Sequence, residues 1–286
     1  PISGGAAVAS SAPIDAAELP AAVGPTRVGP ILLRALVAAI YLFLLGPLII
    51  IIVTSFDPTT AGAFPPKGFS LHWYGEFLRS QNFTDAFQFS LYLGVCAAVV
   101  STLLGFITAS AIVRFLGSKR EIGQSLALLP AIIPQILISI SILLALSFVP
   151  FPAFGALLAG HVIICLPFTI AGVTASLDGV DAQLEAAAMT LGASRIRVLW
   201  EIVVPLIAPG ILSAFIFAFI VSFGDVYIAL FLSGPGMTTL PVEIFSYVNW
   251  ESTPVVAAIT SLQVLLILAL GLGVERLVGL RKIMRF

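Results

Sequence analysis

The sequence predicts an all-α protein, a polytopic membrane bundle of six transmembrane helices, and three observations lead to this fold class. Of the 286 residues, 59% are hydrophobic and only 9% are charged, with a mean hydropathy of +1.14; soluble domains carry about 25% charged residues. Six apolar runs are long enough to cross a hydrocarbon core of about 30 Å, which takes about 20 helical residues. The runs lack the alternating pattern of barrel strands, and lipid leaves unpaired backbone groups unsatisfied, so they are predicted to be helices.

The apolar runs follow a terminal segment of different composition. Residues 1–29 are rich in Ala, Pro and Gly and are predicted to form a mobile cytoplasmic tail, whereas residues 30–286 form the transmembrane domain. The tail lacks a basic start followed by an apolar core, which argues against a cleavable signal peptide. The predicted spans are residues 31–55, 87–113, 124–148, 154–177, 206–232 and 254–274.

Lys and Arg residues are distributed unequally between the two sides that these spans define. With the N-terminus in the cytoplasm, 11 of the 13 basic residues fall in cytoplasmic segments, and only Lys67 and Arg79 fall in external ones. Positively charged loops favour the cytoplasmic side. Both termini and residues 181–205 are therefore predicted to face the cytoplasm.

Residues 181–205, DAQLEAAAMTLGASRIRVLWEIVVP, form a polar interruption between two apolar runs. Asp181 is placed to cap a short helix, and Gly192 supplies the left-handed stop with which helices commonly end. Ser194 is placed to cap a second helix, before Pro205 and Pro209 interrupt the next run. A helix–turn–helix on the surface of a membrane protein indicates a docking site for another protein.

The same segment resembles the EAA loop of ATP-binding-cassette (ABC) importer permeases, whose pattern is EAA, three residues, Gly, nine residues and I-x-L-P. The spacing fits from Gly192 to Pro205, but four residues separate Ala187 from Gly192. Aligned on Gly192, the family's Glu falls at Ala186, and Glu185 lies one position early. Either Glu185 substitutes for the motif Glu in contacting the ATPase, or that contact is absent here.

The resemblance covers about residues 31–280 and points to type I ABC importer permeases of the spermidine/putrescine type. The stretch SFGDVYIALFLSGPGMTTLPVEIF and a His followed six residues later by Pro, at His161 and Pro167, also fit this branch. The resemblance implies a second permease subunit in a heterodimer, two cytoplasmic ATPase subunits that bind ATP and Mg²⁺, and an extracytoplasmic solute-binding protein, in a bacterial inner membrane. It implies that the segment couples to the ATPase through Glu185, Ala186, Ala187, Gly192, Ser194, Arg195 and Pro205.

Motifs for catalysis and nucleotide binding are missing from the sequence. It contains no G-x-x-x-x-G-K-[ST] phosphate loop, and its two His and two Cys residues lie far apart, without metal-ligand spacing. The chain is predicted to be a non-catalytic transport subunit that binds no cofactor, metal or nucleic acid. An ATP-independent carrier or channel is the alternative from another class, and copurification with an ATPase would separate the two.

Asp225 is the only acidic residue placed well inside a predicted span. A carboxylate at the centre of a membrane helix costs roughly 2.5–3.5 kcal/mol on insertion scales, so it normally faces a cavity or a partner. Asp225, Tyr227 and Ser222 are therefore candidates for lining the solute pathway, and so is Pro134, at a predicted kink. The structural alternatives are an Asp225 that hydrogen-bonds within the protein and a proline kink without a pathway role. His161 is expected to be a packed, hydrogen-bonded residue.

Carboxylates outnumber basic residues on the predicted external side. Six stand there or in the outer half of a span: Asp57, Glu76, Asp85, Asp225, Glu243 and Glu251. An acidic mouth favours a cationic solute such as a polyamine, although solvated or partner-bound carboxylates are an alternative. Related permeases carry amino-acid derivatives, opines, thiamine or iron complexes, and each of these is an alternative solute for this chain.

A stripe of small residues runs along the second predicted span, at Gly94, Ala98, Gly105 and Ala109. At 100° per residue the four positions share one face, and small residues let membrane helices approach closely. Packing within the chain is favoured here over an interface between subunits.

Overall fold

The computed structural model describes residues 28–60, 64–250 and 254–278, and within these ranges it contains helices and no strands. This confirms the predicted all-α class. Of the predicted tail, residues 1–27 lie outside the described residues, as do Glu251 and the basic residues after position 278. The helices are α1 (Val28–Thr54), α2 (His72–Arg79), α3 (Gln81–Phe115), α4 (Arg120–Ile132), α5 (Gln135–Leu146), α6 (Ala153–Asp178), α7 (Ala182–Thr190), α8 (Arg195–Val198), α9 (Val204–Phe223), α10 (Tyr227–Leu232), α11 (Leu240–Trp250) and α12 (Val255–Val278).

The chain divides into two compact units, residues 1–47 and 48–286. In the first unit, the described residues belong to α1, an apolar helix with Pro47 inside it. In the second unit, α3, α6 and α9 pack against one another and form the centre of the bundle.

The number of spans agrees with the sequence. Among the described residues, five helices are long and apolar enough to cross a membrane, and a sixth span is formed if α4 and α5 are counted as one. These two helices meet at an angle of 87°. The break lies at Ile133 and Pro134. Ile133 has an extended conformation, because the residue before a proline is disfavoured in the α region.

The fifth predicted span differs from its expected bounds at both ends. It begins at Arg195, so the second helix of the polar segment runs directly into the membrane span. The expectation that Pro205 and Pro209 interrupt the run is wrong, because α9 contains both prolines and directly follows a π turn at Leu199–Val203. In this wide turn the Val204 amide donates to the Leu199 carbonyl five residues earlier. The helix thereby accommodates Pro205, which lacks an amide donor.

The small-residue stripe of α3 packs within the chain. All four of its residues are buried, and an added Cβ at Gly94 would lie 3.0 Å from the Phe219 ring of α9. At Gly105 it would meet the Thr169 side chain of α6, whose hydroxyl donates to the Ser101 carbonyl at 2.9 Å. The expectation of intrachain packing is confirmed, since α3 approaches α6 and α9 along this face.

Gly105→Leu is expected to destabilise the protein by about 1–3 kcal/mol, the usual cost of overpacking a core. The added side chain would push α6 away from α3 and disrupt the Thr169 hydrogen bond. Thermal unfolding in detergent measures the change. Gly271→Leu in α12 is the matched control, because no heavy atom lies within 4 Å of a Cβ added there. Equal unfolding temperatures for the two variants would contradict the packing argument.

Candidate coupling segment and buried polar cluster

The polar segment, residues 181–205, is organised by the two helix caps that its sequence predicts. The Asp181 carboxylate accepts from the Gln183 amide at 2.9 Å at the start of α7. The Ser194 hydroxyl accepts from the Arg197 amide at 3.3 Å at the start of α8. Both caps satisfy backbone donors that a helix leaves unpaired in its first turn. The predicted N-terminal caps are confirmed.

The end of α7 is set by Gly192, whose φ of +93° lies in the left-handed region. Its amide donates to the Met189 carbonyl at 3.0 Å, and the Ala193 amide donates to the Ala188 carbonyl at 3.1 Å. This pair of bonds is the Schellman arrangement, in which a residue with positive φ terminates the helix. The predicted left-handed stop is confirmed, and it sets the direction from α7 into α8.

The segment presents apolar and charged side chains to its surroundings. Leu191 is 90% exposed, and Leu184, Ile196 and Trp200 are also exposed. A pocket of about 390 Å³ lies between the end of α3, α7 and α8, with Glu185 and Arg195 among its lining residues. An exposed apolar cluster beside charged side chains is typical of a protein-binding surface.

Glu185 does not extend freely from this surface, because it is paired with Arg114 near the end of α3. The two side chains make a bidentate contact, Nη1 to Oε2 at 2.9 Å and Nη2 to Oε1 at 3.0 Å. Ala186, Ala187, Ser194 and Pro205 are exposed. The sequence did not predict the pair, because its two members lie 71 positions apart.

A second group of polar side chains lies inside the bundle, where α9 ends and α10 begins. Residues 224–226 interrupt the span that the sequence predicts as continuous. The Asp225 side chain lies in this break, and its Oδ2 accepts from the Ile228 amide at 2.8 Å and the Ala229 amide at 3.3 Å. Asp225 thus stabilises the first turn of α10, as a capping residue does.

His161 of α6 belongs to the same cluster. Its Nδ1 is 2.9 Å from the Ser222 hydroxyl, and its Nε2 is 3.9 Å from Asp225 Oδ2. His161, Ser222 and Asp225 are all buried, which agrees with the expectation of a packed, hydrogen-bonded histidine. The three residues stood out in the sequence as polar positions in apolar runs, but only the fold brings them together.

The predicted pathway residues have two different environments. Asp225 and Ser222 are buried, whereas Tyr227 is 51% exposed and Pro134 is also exposed. The Ser139 hydroxyl of α5 donates to the Tyr227 carbonyl at 3.1 Å, which joins α5 to α10. Within the described residues, His, Cys, Asp and Glu do not gather in threes that could hold a metal ion. The pathway role of these residues stays a prediction.

Comparison with known proteins decides the family. Residues 81–282 match the model of the binding-protein-dependent transport system inner membrane component. The chain belongs to this family. The chain is therefore a transmembrane permease subunit of an ABC importer, as the sequence predicted, and the ATPase is a separate subunit. The permease is an inner-membrane protein that acts as one component of a larger transport system.

Two curated relatives and one solved structure illustrate the similarity. The permease is 32% identical over 244 residues to the spermidine/putrescine transport system permease protein PotC of Escherichia coli strain K12, covering 85% of this chain and 91% of PotC. It is 33% identical over 256 residues to the putrescine transport system permease protein PotI of the same strain, covering 86% and 88%. A chain of a bacterial ABC transporter involved in the import of the acidic polysaccharide alginate shares the fold, with a TM-score of 0.67, 17% identity and coverage of 90% and 99%.

Proposed function

We propose that this permease forms half of the pathway by which a small organic cation, such as a polyamine, is imported across a bacterial inner membrane. The observation that carries the proposal is the similarity to PotC and PotI over 85% and 86% of the chain. The fold alone does not select the solute, since it is shared with an importer of an acidic polysaccharide. The solute class must therefore be argued from this chain's own side chains.

The acidic end of the bundle supports a cationic solute. Asp85 near the start of α3 and Glu243 near the start of α11 line one pocket of about 210 Å³, together with Asn82 and Thr238. This pocket lies at the opposite end of α3 from Arg114, and the 35 residues of that helix extend over about 50 Å. Carboxylates grouped in a concave site raise the local concentration of cations.

The coupling segment is proposed to dock onto a cytoplasmic ATPase, with both termini of the permease in the cytoplasm. The exposed apolar residues beside Arg195 and the turn fixed by Gly192 support this role. The complete importer is proposed to contain a second permease subunit, two ATPase subunits that bind ATP and Mg²⁺, and an extracytoplasmic solute-binding protein. Contact with the ATPase is assigned to the α7–α8 surface that carries Ala186, Ala187, Gly192, Ser194 and Arg195, and to Pro205 at the start of α9.

The predicted pathway residues are proposed to act in two ways. Tyr227 and Pro134 have exposed side chains and are available to line the pathway. Asp225 and Ser222 are buried, and they are proposed to shape the pathway by holding α10 in place. The cation preference then depends on the external carboxylates rather than on Asp225.

Uptake by the importer reconstituted in proteoliposomes, with its ATPase and solute-binding protein, tests the function. ATP-dependent accumulation of putrescine or spermidine is expected, together with copurification of the ATPase. Neutralising the pocket with Asp85→Asn and Glu243→Gln is expected to lower the uptake rate several-fold, because the local attraction for cations is lost. Glu121→Gln in the first turn of α4 is the matched control. Uptake without ATP would instead support a carrier, and ATP-driven uptake of other solutes alone would support a different importer.

A further inference from the structure

Two arginines flank the turn that joins α3 to α4, and each forms an ion pair with an acidic residue of another helix. Arg114 precedes the turn and pairs with Glu185 of α7. Arg120 is the first residue of α4 and pairs with Asp178, the last residue of α6. The α3–α4 turn is therefore linked by ion pairs to the end of α6 and to α7, the two helices on either side of the α6–α7 connection.

Both contacts have the geometry of strong ion pairs. Arg120 Nη2 lies 2.6 Å from Asp178 Oδ1 and 2.5 Å from its Oδ2, and the Arg114–Glu185 contact is bidentate. The Arg114 and Glu185 side chains are only 27% and 22% exposed. By contrast, the Arg79–Glu76 pair within α2 is 3.5 Å long, and its side chains are 80% and 43% exposed. Reduced exposure lessens screening by solvent, so the Arg114–Glu185 pair is the better shielded one. The Arg120 and Asp178 side chains are 33% and 44% exposed, and their contact is distinguished by its short distance.

The helix dipole does not explain the positions of Arg120, at the start of α4, and Asp178, at the end of α6. A positive charge at the start of a helix and a negative charge at the end of one are both unfavourable in the field of the helix dipole. The Arg120–Asp178 contact offsets this cost for each partner. The two residues are therefore accounted for by the link that they make between α4 and α6.

The α7 helix depends on such a link, because core packing holds it only weakly: its Ala188 packs against the core but is only partly buried. None of its nine residues, all of which are described, is buried. Its backbone connections are short segments, and the one after it turns at Gly192. One position on a helix corresponds to a rotation of about 100°, so the early placement of Glu185 turns its carboxylate towards α3 while Ala186 stays exposed.

We propose that Arg114 and Arg120 are positioning residues that fasten residues 178–185 to the α3–α4 turn, so that α7 moves together with α3, α4 and α6. The inference rests on the proposed docking of an ATPase on the coupling segment. A displacement of α7 by the ATPase then reaches the membrane spans through three helices, and not only through the short backbone connections of α7. Glu185 serves the permease's own rigidity in this arrangement and is not the contact to the ATPase.

Charge reversal in the reconstituted importer tests the proposal. Arg114→Glu and Glu185→Arg are each expected to lower the putrescine taken up per ATP hydrolysed about tenfold, a usual size for coupling between sites. The ATPase is expected to copurify as before. The double variant, which restores a pair of opposite charges, is expected to recover the ratio to within about threefold, since residues in direct contact are not additive. Arg120→Asp and Asp178→Arg form the parallel set, and Arg79→Glu is the control expected to leave the ratio unchanged.

A distance measurement that needs no solute separates this inference from the proposed function. Spin labels at Gln183→Cys and Ser118→Cys, with Cys96 and Cys165 replaced by Ala, report the separation of α7 from the α3–α4 turn. The distance between the labels is expected to stay the same when the ATPase is trapped with ATP and vanadate. Arg114→Glu is expected to broaden the distribution of distances, even in the permease without its partners. A narrow distribution in Arg114→Glu, or loss of the ATPase from Glu185→Arg without recovery in the double variant, would overturn the inference. Failure of the unaltered importer to take up putrescine, with the labels behaving as expected, would count against the polyamine assignment alone.

Discussion

Asp225→Ala is expected to destabilise the permease by about 2–6 kcal/mol, since two buried amides lose their acceptor and each costs about 1–3 kcal/mol when unsatisfied. The amides belong to Ile228 and Ala229, and both donate to Asp225 Oδ2. Loss of the cap is expected to loosen α10 from α5 and α6 and to lower both the unfolding temperature in detergent and the uptake rate.

Asp225→Asn is the variant that separates capping from charge. Its side-chain oxygen can still accept from the two amides, so the unfolding temperature and most of the uptake are expected to be retained. Thermal unfolding and proteoliposome uptake are measured on the same preparation. A stable Asn variant that no longer transports a cation would show that the charge itself acts on the solute, in agreement with the pathway role that the sequence favoured.

Gly192→Val is expected to leave the bundle folded and to lower transport per ATP hydrolysed about tenfold, a change of typical size for coupled sites. A β-branched residue with positive φ is strained by roughly 1–3 kcal/mol, so the turn would relax to another conformation and α7 would point in a different direction. The effect is one of backbone conformation alone, because no heavy atom lies within 4 Å of a Cβ added at Gly192.

Graded substitutions at Gly192 supply the control for this prediction. Asn adopts the left-handed conformation more readily than other residues, so Gly192→Asn is expected to retain more coupling than Gly192→Val. ATP hydrolysis, uptake and ATPase copurification are measured for both. An unaltered ratio of uptake to hydrolysis in Gly192→Val would show that the geometry of the turn is unimportant.

Some features of the tertiary structure could not be predicted, because the sequence signals for them are weak. The span from Arg195 continues through Pro205 after a π turn at Leu199–Val203, whereas prolines in sequence argue only for an interruption. The break at residues 224–226, before α10, lies inside an apolar run that was predicted as one continuous span. In each case neighbouring helices hold a backbone conformation that local preference does not select.

The sequence by itself determined the all-α membrane class, the six spans, the caps of the coupling segment and the family. These features depend on local chemistry, since lipid requires a hydrogen-bonded backbone and caps depend on residues a few positions apart. Only the tertiary structure decided that Glu185 pairs with Arg114, that Arg120 pairs with Asp178, and that His161, Ser222 and Asp225 share one buried cluster. Their partners lie more than 50 positions apart along the chain, except for Ser222 and Asp225. Such contacts arise when α3, α4, α6, α7 and α9 pack, and hydropathy carries no information about which charged or polar side chains then meet.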